Sequence, residues 1–178
     1  MSMSDPVNEN NVTVDNSDQD QYLTFLLGEE EYAVDILRVQ EIRGWDSVTT
    51  IPNAPPFIKG VINLRGTIVS ILDLRERFGI ESVEYTDLTV VVVLRIKGVD
   101  DDKERIMGVV VDAVSEVYNI DQDDLKDPPD LGYAINMSYM KGMATIDDKM
   151  IIVLDIDQLM SLKDIDNIEK SNLALVED

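Results

Sequence analysis

The chain has 178 residues, with 36 acidic side chains against 15 basic ones and a formal net charge of −21. Nucleic acid and anionic membrane surfaces are poor partners for it, because both are bound by concentrated basic faces. It has no Cys and no His, which excludes disulfide frameworks, thiolate and imidazole metal sites, and Ser-His-Asp or Cys-His catalysis within the chain.

Residues 1–20 are polar and carry five acids and no base, the composition of a disordered acidic tail. They lack the basic-then-apolar order of a secretory signal, and no apolar run approaches the ~20 residues that span a bilayer. A soluble protein of the cytoplasm is the expectation. Periodicity begins at Tyr22. Tyr22–Leu27 reads as a strand, Gly28-Glu29-Glu30 as a turn, and Tyr32-Ala33-Val34 as the returning strand. Asp35 is placed to cap a short helical turn ahead of Val39–Arg43. Pro52-Asn53-Ala54-Pro55-Pro56 is expected to be irregular or extended, since proline fixes φ and lacks a donor. Two strands then flank Asn63–Gly66, where Asn63 and Gly66 are expected to supply unusual φ values. A short helix over Leu74–Phe78 stops at Gly79. Leu88–Ile96 is almost continuously β-branched and predicts a strand buried on both faces. A charged hairpin tip at Lys97–Glu104 leads into Ile106–Val111 and then Val114–Ile120. Residues 157–170 have helical spacing and predict a closing helix or two.

Two stretches of the chain align with each other without a gap. Residues 57–78 read FIKGVINLRGTIVSILDLRERF, and residues 139–160 read YMKGMATIDDKMIIVLDIDQLM. Lys59 and Gly60 fall on Lys141 and Gly142, and Leu72 and Asp73 fall on Leu154 and Asp155. A shorter echo relates Val39, Glu41 and Ile42 to Val114, Glu116 and Val117. One structural unit therefore occurs twice. Many short strands with Gly and Pro turns favour barrels or sandwiches. Two copies of about five strands predict two small β-barrels, whose closure removes exposed edges. Neither has room for a large core, so each leans on the other.

Phosphate-binding signatures of the GxxxxGK[ST] and GxGxxG types are missing. Asp121-Gln122-Asp123-Asp124 opens like a calcium loop, but Leu125 takes the third ligand position and Lys126 the glycine position. A helix cap or solvated loop is the expectation there, and a solvated turn at Asp100-Asp101-Asp102. The repeats diverge most in charge at their turns, Arg65-Gly66 against Asp147-Asp148. Arg65 suits either an ion pair with a carboxylate such as Glu41 or a contact with a partner. Val39, Ile42, Val90, Val114 and Val117 suit either the core or an apolar groove between the barrels.

The segments EEYAVDILRVQEIRG (Glu30–Gly44), FIKGVINLRGTIVSILDLR (Phe57–Arg75) and GVVVDAVSEV (Gly108–Val117) closely resemble the CheW family of bacterial chemotaxis coupling proteins. The likeness runs from about Gln21 to Met160 in order and spacing. It implies a mainly β fold of two intertwined, SH3-like, five-stranded β-barrels, with short helices including a C-terminal one. On that reading residues 1–20 are the tail and 21–160 the CheW-like domain. Its first barrel would cover roughly 35–86 and its second roughly 21–34 plus 87–160, with 161–178 a helix and a frayed end. The resemblance implies a non-catalytic adaptor without a cofactor or metal. It would be cytoplasmic and recruited to receptor clusters, joining the cytoplasmic tip of methyl-accepting chemoreceptors to the regulatory domain of the histidine kinase CheA. Val39, Glu41, Arg65, Val90, Val114 and Val117 would bind the receptor. Lys126, Asp130 and Leu131 would bind the kinase, although Lys126 and Leu131 stand where family members can carry Arg and Phe. The alternatives are a coupling protein of a non-flagellar chemosensory pathway and a carboxylate-based hydrolase, which needs two carboxylates ~5–9.5 Å apart in a sugar-sized cleft.

Overall fold

A computed structural model describes residues 19–80, 84–98, 103–127 and 139–161. Ten strands run in chain order: β1 Gln19–Leu27, β2 Glu30–Asp35, β3 Val39–Gly44, β4 Ile58–Leu64, β5 Thr67–Asp73, β6 Val90–Lys97, β7 Glu104–Val111, β8 Ala113–Asp121, β9 Met140–Ile146 and β10 Lys149–Leu154. One-turn helices α1 (Leu74–Arg77) and α2 (Ile156–Leu159) follow β5 and β10. Single 3-10 turns cover Ile36–Arg38 and Gln122–Asp124.

Strand pairing makes two five-stranded sheets, ordered β3-β6-β7-β5-β4 and β8-β1-β2-β10-β9. Each closes on itself through one extra bridge. Thr49, beyond β3, exchanges two backbone hydrogen bonds of 2.9 Å with Val61 of β4, and Lys126, beyond β8, exchanges two of 2.8 Å with Met143 of β9. Closure satisfies the edge groups that an open sheet exposes. The repeat now becomes physical. Strands β1–β5 form one copy and β6–β10 the other, but each copy lends its first hairpin to the other copy's last three strands. The first barrel is thus β3, β4, β5 with β6, β7, and the second is β8, β9, β10 with β1, β2.

This exchange corrects the expected boundaries, which assigned β6 and β7 to the second barrel. Val90–Lys97 pairs with β3 on one side and β7 on the other, and β7 pairs in parallel with β5. Hydrophobic pattern alone does not specify which of two similar sheets a two-faced strand joins. Val91 and Val93 fill the first barrel's interior, while Val92, Leu94 and Ile96 belong to the cluster between the barrels. The expected two-sided burial of this strand therefore holds. Three clusters make the core: one inside each barrel, and the largest between them. A row of rings, Phe25, Tyr32, Phe78 and Tyr139, crosses the inter-barrel layer at centroid spacings of 6.3, 5.5 and 5.4 Å. Each fully buried Val or Leu contributes about 1.5–3 kcal/mol, so the shared layer holds the barrels to each other.

Residues common to both repeats carry the closures. Asp73 and Asp155 each cap the following helical turn, accepting from Arg75 N at 3.0 Å and Gln158 N at 3.2 Å, a contribution of about 1 kcal/mol apiece. Their own amides donate to Phe57 and Tyr139 carbonyls at 2.7 and 2.8 Å. Gly60 and Gly142 lie where the closing segment crosses. A Cβ on Gly60 (φ +148°) would collide with the Thr49 carbonyl, and one on Gly142 would lie 3.2 Å from the Lys126 carbonyl.

Three local expectations change. Asp20 and Gln19 belong to β1, opposite Ile120 and Asp121, because backbone pairing needs no apolar side chain. Val90, rather than Leu88, begins β6; Leu88 is exposed in a turn braced by the Thr86 and Thr89 hydroxyls. In the β4–β5 turn the positive φ values fall on Arg65 (+50°) and Gly66 (+90°). Asn63 stays in β4, and its side-chain oxygen accepts from the Gly66 amide at 2.7 Å. The expected tail over 1–18, Asp100-Asp101-Asp102, Asp130, Leu131 and the helix beyond Ser161 lie outside the described residues. Among the described residues, no helix is long and apolar enough to cross a membrane.

Candidate functional site

Residues directly opposite on paired strands share a face, which places the candidate residues. Val39 lies opposite Leu94 and Ile42 opposite Val92, both members of the inter-barrel cluster. Val90, at the start of β6, packs against the same cluster. From the second barrel, Val114 lies opposite Phe25 and Val117 opposite Leu23, again inter-barrel residues. Each barrel therefore contributes an apolar wall that borders the shared core. Val39, Val90 and Val114 are half-buried against the shared core, while Ile42 and Val117 are 44% and 48% exposed.

A bulge shapes each wall. Register slips between Val39 and Glu41 on β3, and between Val114 and Val117 on β8. The second slip is filled by the buried Thr24 hydroxyl, which accepts from Glu116 N at 3.1 Å and donates to Glu116 O at 3.0 Å. A bulge turns the next side chain to the other face. Glu41, opposite Val93, and Arg43, opposite Val91, accordingly turn to the rim of the first barrel. There Glu41 Oε2 accepts from Arg65 Nη2 at 2.8 Å, and Arg43 Nη1 stands 3.6 Å from Oε1. The hydrogen bond from Arg65 is the main cause that holds the Glu41 carboxyl below the usual carboxylate range. Arg65 is 68% exposed, its backbone fixed by the turn and its guanidinium by Glu41.

The six expected receptor residues are thus four on the groove walls and two, Glu41 and Arg65, around the edge of β3. Ile42 completes the walls. The resemblance did not assign it, but the echo of Val117 in the sequence marked it. Lys126 sits at the second barrel's closing bridge, with its side chain exposed and Nζ 3.4 Å from the Asp123 carbonyl. Asp130 and Leu131 lie outside the described residues.

A separate pocket of about 290 Å³ opens in the wall of the first barrel between Gly44–Thr49 and Val61–Asn63, with Ile71 and Val91 lining it. Seven residues of chain, 42–48, separate the Glu41–Arg65 contact from the Thr49–Val61 bridge, against three on β4. The slack in that segment leaves the opening. In the second barrel Leu125 packs against the interior cluster at the matching place.

Apolar walls with an oriented guanidinium at the edge are equipment for holding a partner. The class defined by this fold and groove is a double-barrel binding module. Residues 21–164 match the family described as the CheW-like domain. The chain is 43% identical over 155 residues to a chemotaxis protein CheW of Klebsiella aerogenes, covering 85% of this chain and 90% of that one. It is 34% identical over 139 residues to the CheW of Rhizobium meliloti, covering 78% and 86%. The crystal structure of the scaffolding protein CheW from Thermoanaerobacter tengcongensis superposes with a TM-score of 0.70 at 36% identity, covering 80% of this chain and 88% of that one. The chain belongs to the CheW-like family, and the two barrels are of the SH3-like type expected from the sequence.

Proposed function

We propose that the chain is a non-catalytic adaptor of chemotaxis signalling that couples methyl-accepting chemoreceptors to the histidine kinase CheA. The observation that carries this reading is the pair of apolar walls, Val39, Ile42 and Val90 on the first barrel and Val114 and Val117 on the second, bordering a shared core. Exposed apolar surface at a seam between rigid units marks a partner site. The cytoplasmic receptor tip enters this groove, its apolar side chains against the walls and an acceptor against Arg65. Lys126, at the second barrel's closing bridge, forms the kinase contact together with Asp130 and Leu131. One body with two separate surfaces brings kinase and receptor together without chemistry of its own, needs no cofactor, and is recruited to receptor clusters at the cytoplasmic side of the membrane.

The test is a reconstitution with a receptor-tip fragment, the kinase and this chain. Kinase activity is expected to respond to the receptor only when the chain is present. Val117→Glu is expected to abolish receptor binding while leaving kinase binding intact, since a charge on an exposed wall residue costs little in the free protein and much in a desolvated groove. Leu131→Glu is expected to do the reverse. Equal losses of both partners in either variant, or a kinase response without the chain, overturns the reading.

A further inference from the structure

We propose that Asp112 is a positioning residue for the groove: its carboxylate fixes one barrel against the other and so sets the spacing of the two apolar walls. The proposal rests on the receptor reading of that groove for its functional half. Asp112 is the single residue between β7 and β8, where the chain crosses from the first barrel to the second. Its amide donates to the Leu26 carbonyl of β1 at 3.0 Å, and its Oδ2 accepts from the Gly28 amide in the β1–β2 turn at 2.6 Å. Both are second-barrel groups. Its Oδ1 accepts from Arg75 Nη1 at 2.8 Å, on helix α1 of the first barrel.

The Arg75 end of this tie is fixed. Arg75 is 1% exposed and forks onto the fully buried Asp73, with Nε to Oδ1 at 2.9 Å and Nη2 to Oδ2 at 2.8 Å. Its Nη1 also reaches the Glu84 carbonyl at 2.6 Å. The Tyr85 hydroxyl donates to Asp73 Oδ2 at 2.8 Å, and its ring lies between the Arg75 guanidinium and the Trp45 ring. Burial works against the Arg75 charge, but hydrogen bonds to Asp73 and Asp112 outweigh it and hold the guanidinium above its ordinary pKa. A guanidinium so anchored makes a rigid post. Asp112 hooks the second barrel onto that post.

The place of the hook matters for the groove. Val90 lies opposite Val111 in the β6–β7 ladder, and Val114 follows Asp112 by two residues. The tie therefore sits between one wall and the other. It touches neither wall's exposed surface, so its effect on binding runs through geometry.

The chain has no Cys, so Thr67→Cys and Thr145→Cys, at exposed hairpin positions of the first and second barrels, give a clean pair of spin-label sites. Pulsed electron resonance on the full chain, without receptor, reads the inter-barrel distance. Asp112→Asn keeps an acceptor for Gly28 and removes the charge facing Arg75. It is expected to broaden or shift the distance distribution and weaken binding of a receptor-tip fragment about tenfold, the loss if the competent spacing is occupied a tenth of the time. Asp112→Glu, which restores the charge, is expected to recover part of both. An unchanged distribution overturns the proposal, whatever the affinity does, because Asp112 then acts by contact or not at all. A broadened distribution with wild-type affinity overturns its functional half. If wild-type chain and Val117→Glu bind the receptor fragment equally, the receptor reading fails instead, while the distance measurement still decides whether Asp112 sets the barrels.

Discussion

The β4–β5 and β9–β10 turns have the same backbone and opposite chemistry. Arg65 and Gly66 have φ of +50° and +90°; Asp147 and Asp148 have +51° and +66°. Two positive φ values in succession suit the right-handed twist of a tight hairpin. Arginine is therefore not needed to shape this turn, because an aspartate does the same in the other copy. The surroundings differ accordingly. At the first barrel's rim Arg65 holds Glu41. At the second, Glu116, the echo of Glu41, has no such cation among the described residues, and its hydrogen bond with the Tyr118 hydroxyl pushes that phenol up to about 12. Positions common to both copies close barrels and cap helices; the position where charge reverses carries the exposed Arg65, by which, on the proposed reading, a partner tells one barrel from the other.

The largest expected effect probes a residue that the copies share. Gly60→Ala is expected to destabilise the protein by roughly 3 kcal/mol or more, since the new Cβ meets a backbone carbonyl at a φ that side chains rarely adopt. Gly142→Ala meets its nearest atoms at 3.2 and 3.3 Å and is expected to cost about 1 kcal/mol. Denaturant midpoints of the two variants measure the difference. Equal costs would mean that the two barrel closures are mechanically alike, despite their different crossing distances.

Arg65→Ala probes the divergent position. An exposed ion pair contributes about 0–1 kcal/mol to stability, so the thermal midpoint is expected to move little. Receptor-tip binding is expected to fall by about 2–5 kcal/mol if the guanidinium is desolvated against an acceptor, and Arg65→Lys to recover only part, keeping charge but losing the planar fork. A midpoint ten degrees lower would make Arg65 structural. The complementary change, Asp148→Gly, removes a side chain from the left-handed region and is expected to stabilise by about 0.5–1 kcal/mol, with no effect on receptor binding.

Much of this architecture was readable because it repeats. The aligned Lys-Gly and Leu-Asp pairs marked the closures and caps, and the β-branched run marked the strand between two cores. Barrel membership was not readable, because Val92 and Val91 are equally apolar and only pairing partners tell which layer each fills. Nor was the turn: Asn63 looked like the residue with unusual φ, yet a carboxamide can stabilise the turn from its strand while Arg65 takes the strained conformation. The face of Glu41 depended on a bulge, and one inserted residue leaves no mark in a hydrophobic pattern. The Asp73–Arg75–Asp112 tie was invisible for a different reason. In a chain with so many acids, spacing does not say which carboxylates meet a buried guanidinium.

The smallest expected effect concerns protonation at the first barrel's rim. The Glu41 carboxyl is held below its ordinary value mainly by the hydrogen bond from Arg65, with burial opposing and the charges of Arg65 and Arg43 assisting. For a depressed carboxylate the sign is fixed: the pairing is present above the unfolded-state pKa and is lost as pH falls through the lower folded value. The Glu41–Arg65 contact is thus intact at neutral pH and opens only in acid. Carboxyl carbon resonances followed through an acid titration are expected to show Glu41 titrating below the ordinary carboxylate range. In Arg65→Ala its midpoint is expected to rise, although Arg43 at 3.6 Å keeps part of the depression. If Glu41 keeps its wild-type midpoint without Arg65, then the guanidinium is not what holds the carboxylate at the rim, and the contrast between the two turns reduces to net charge.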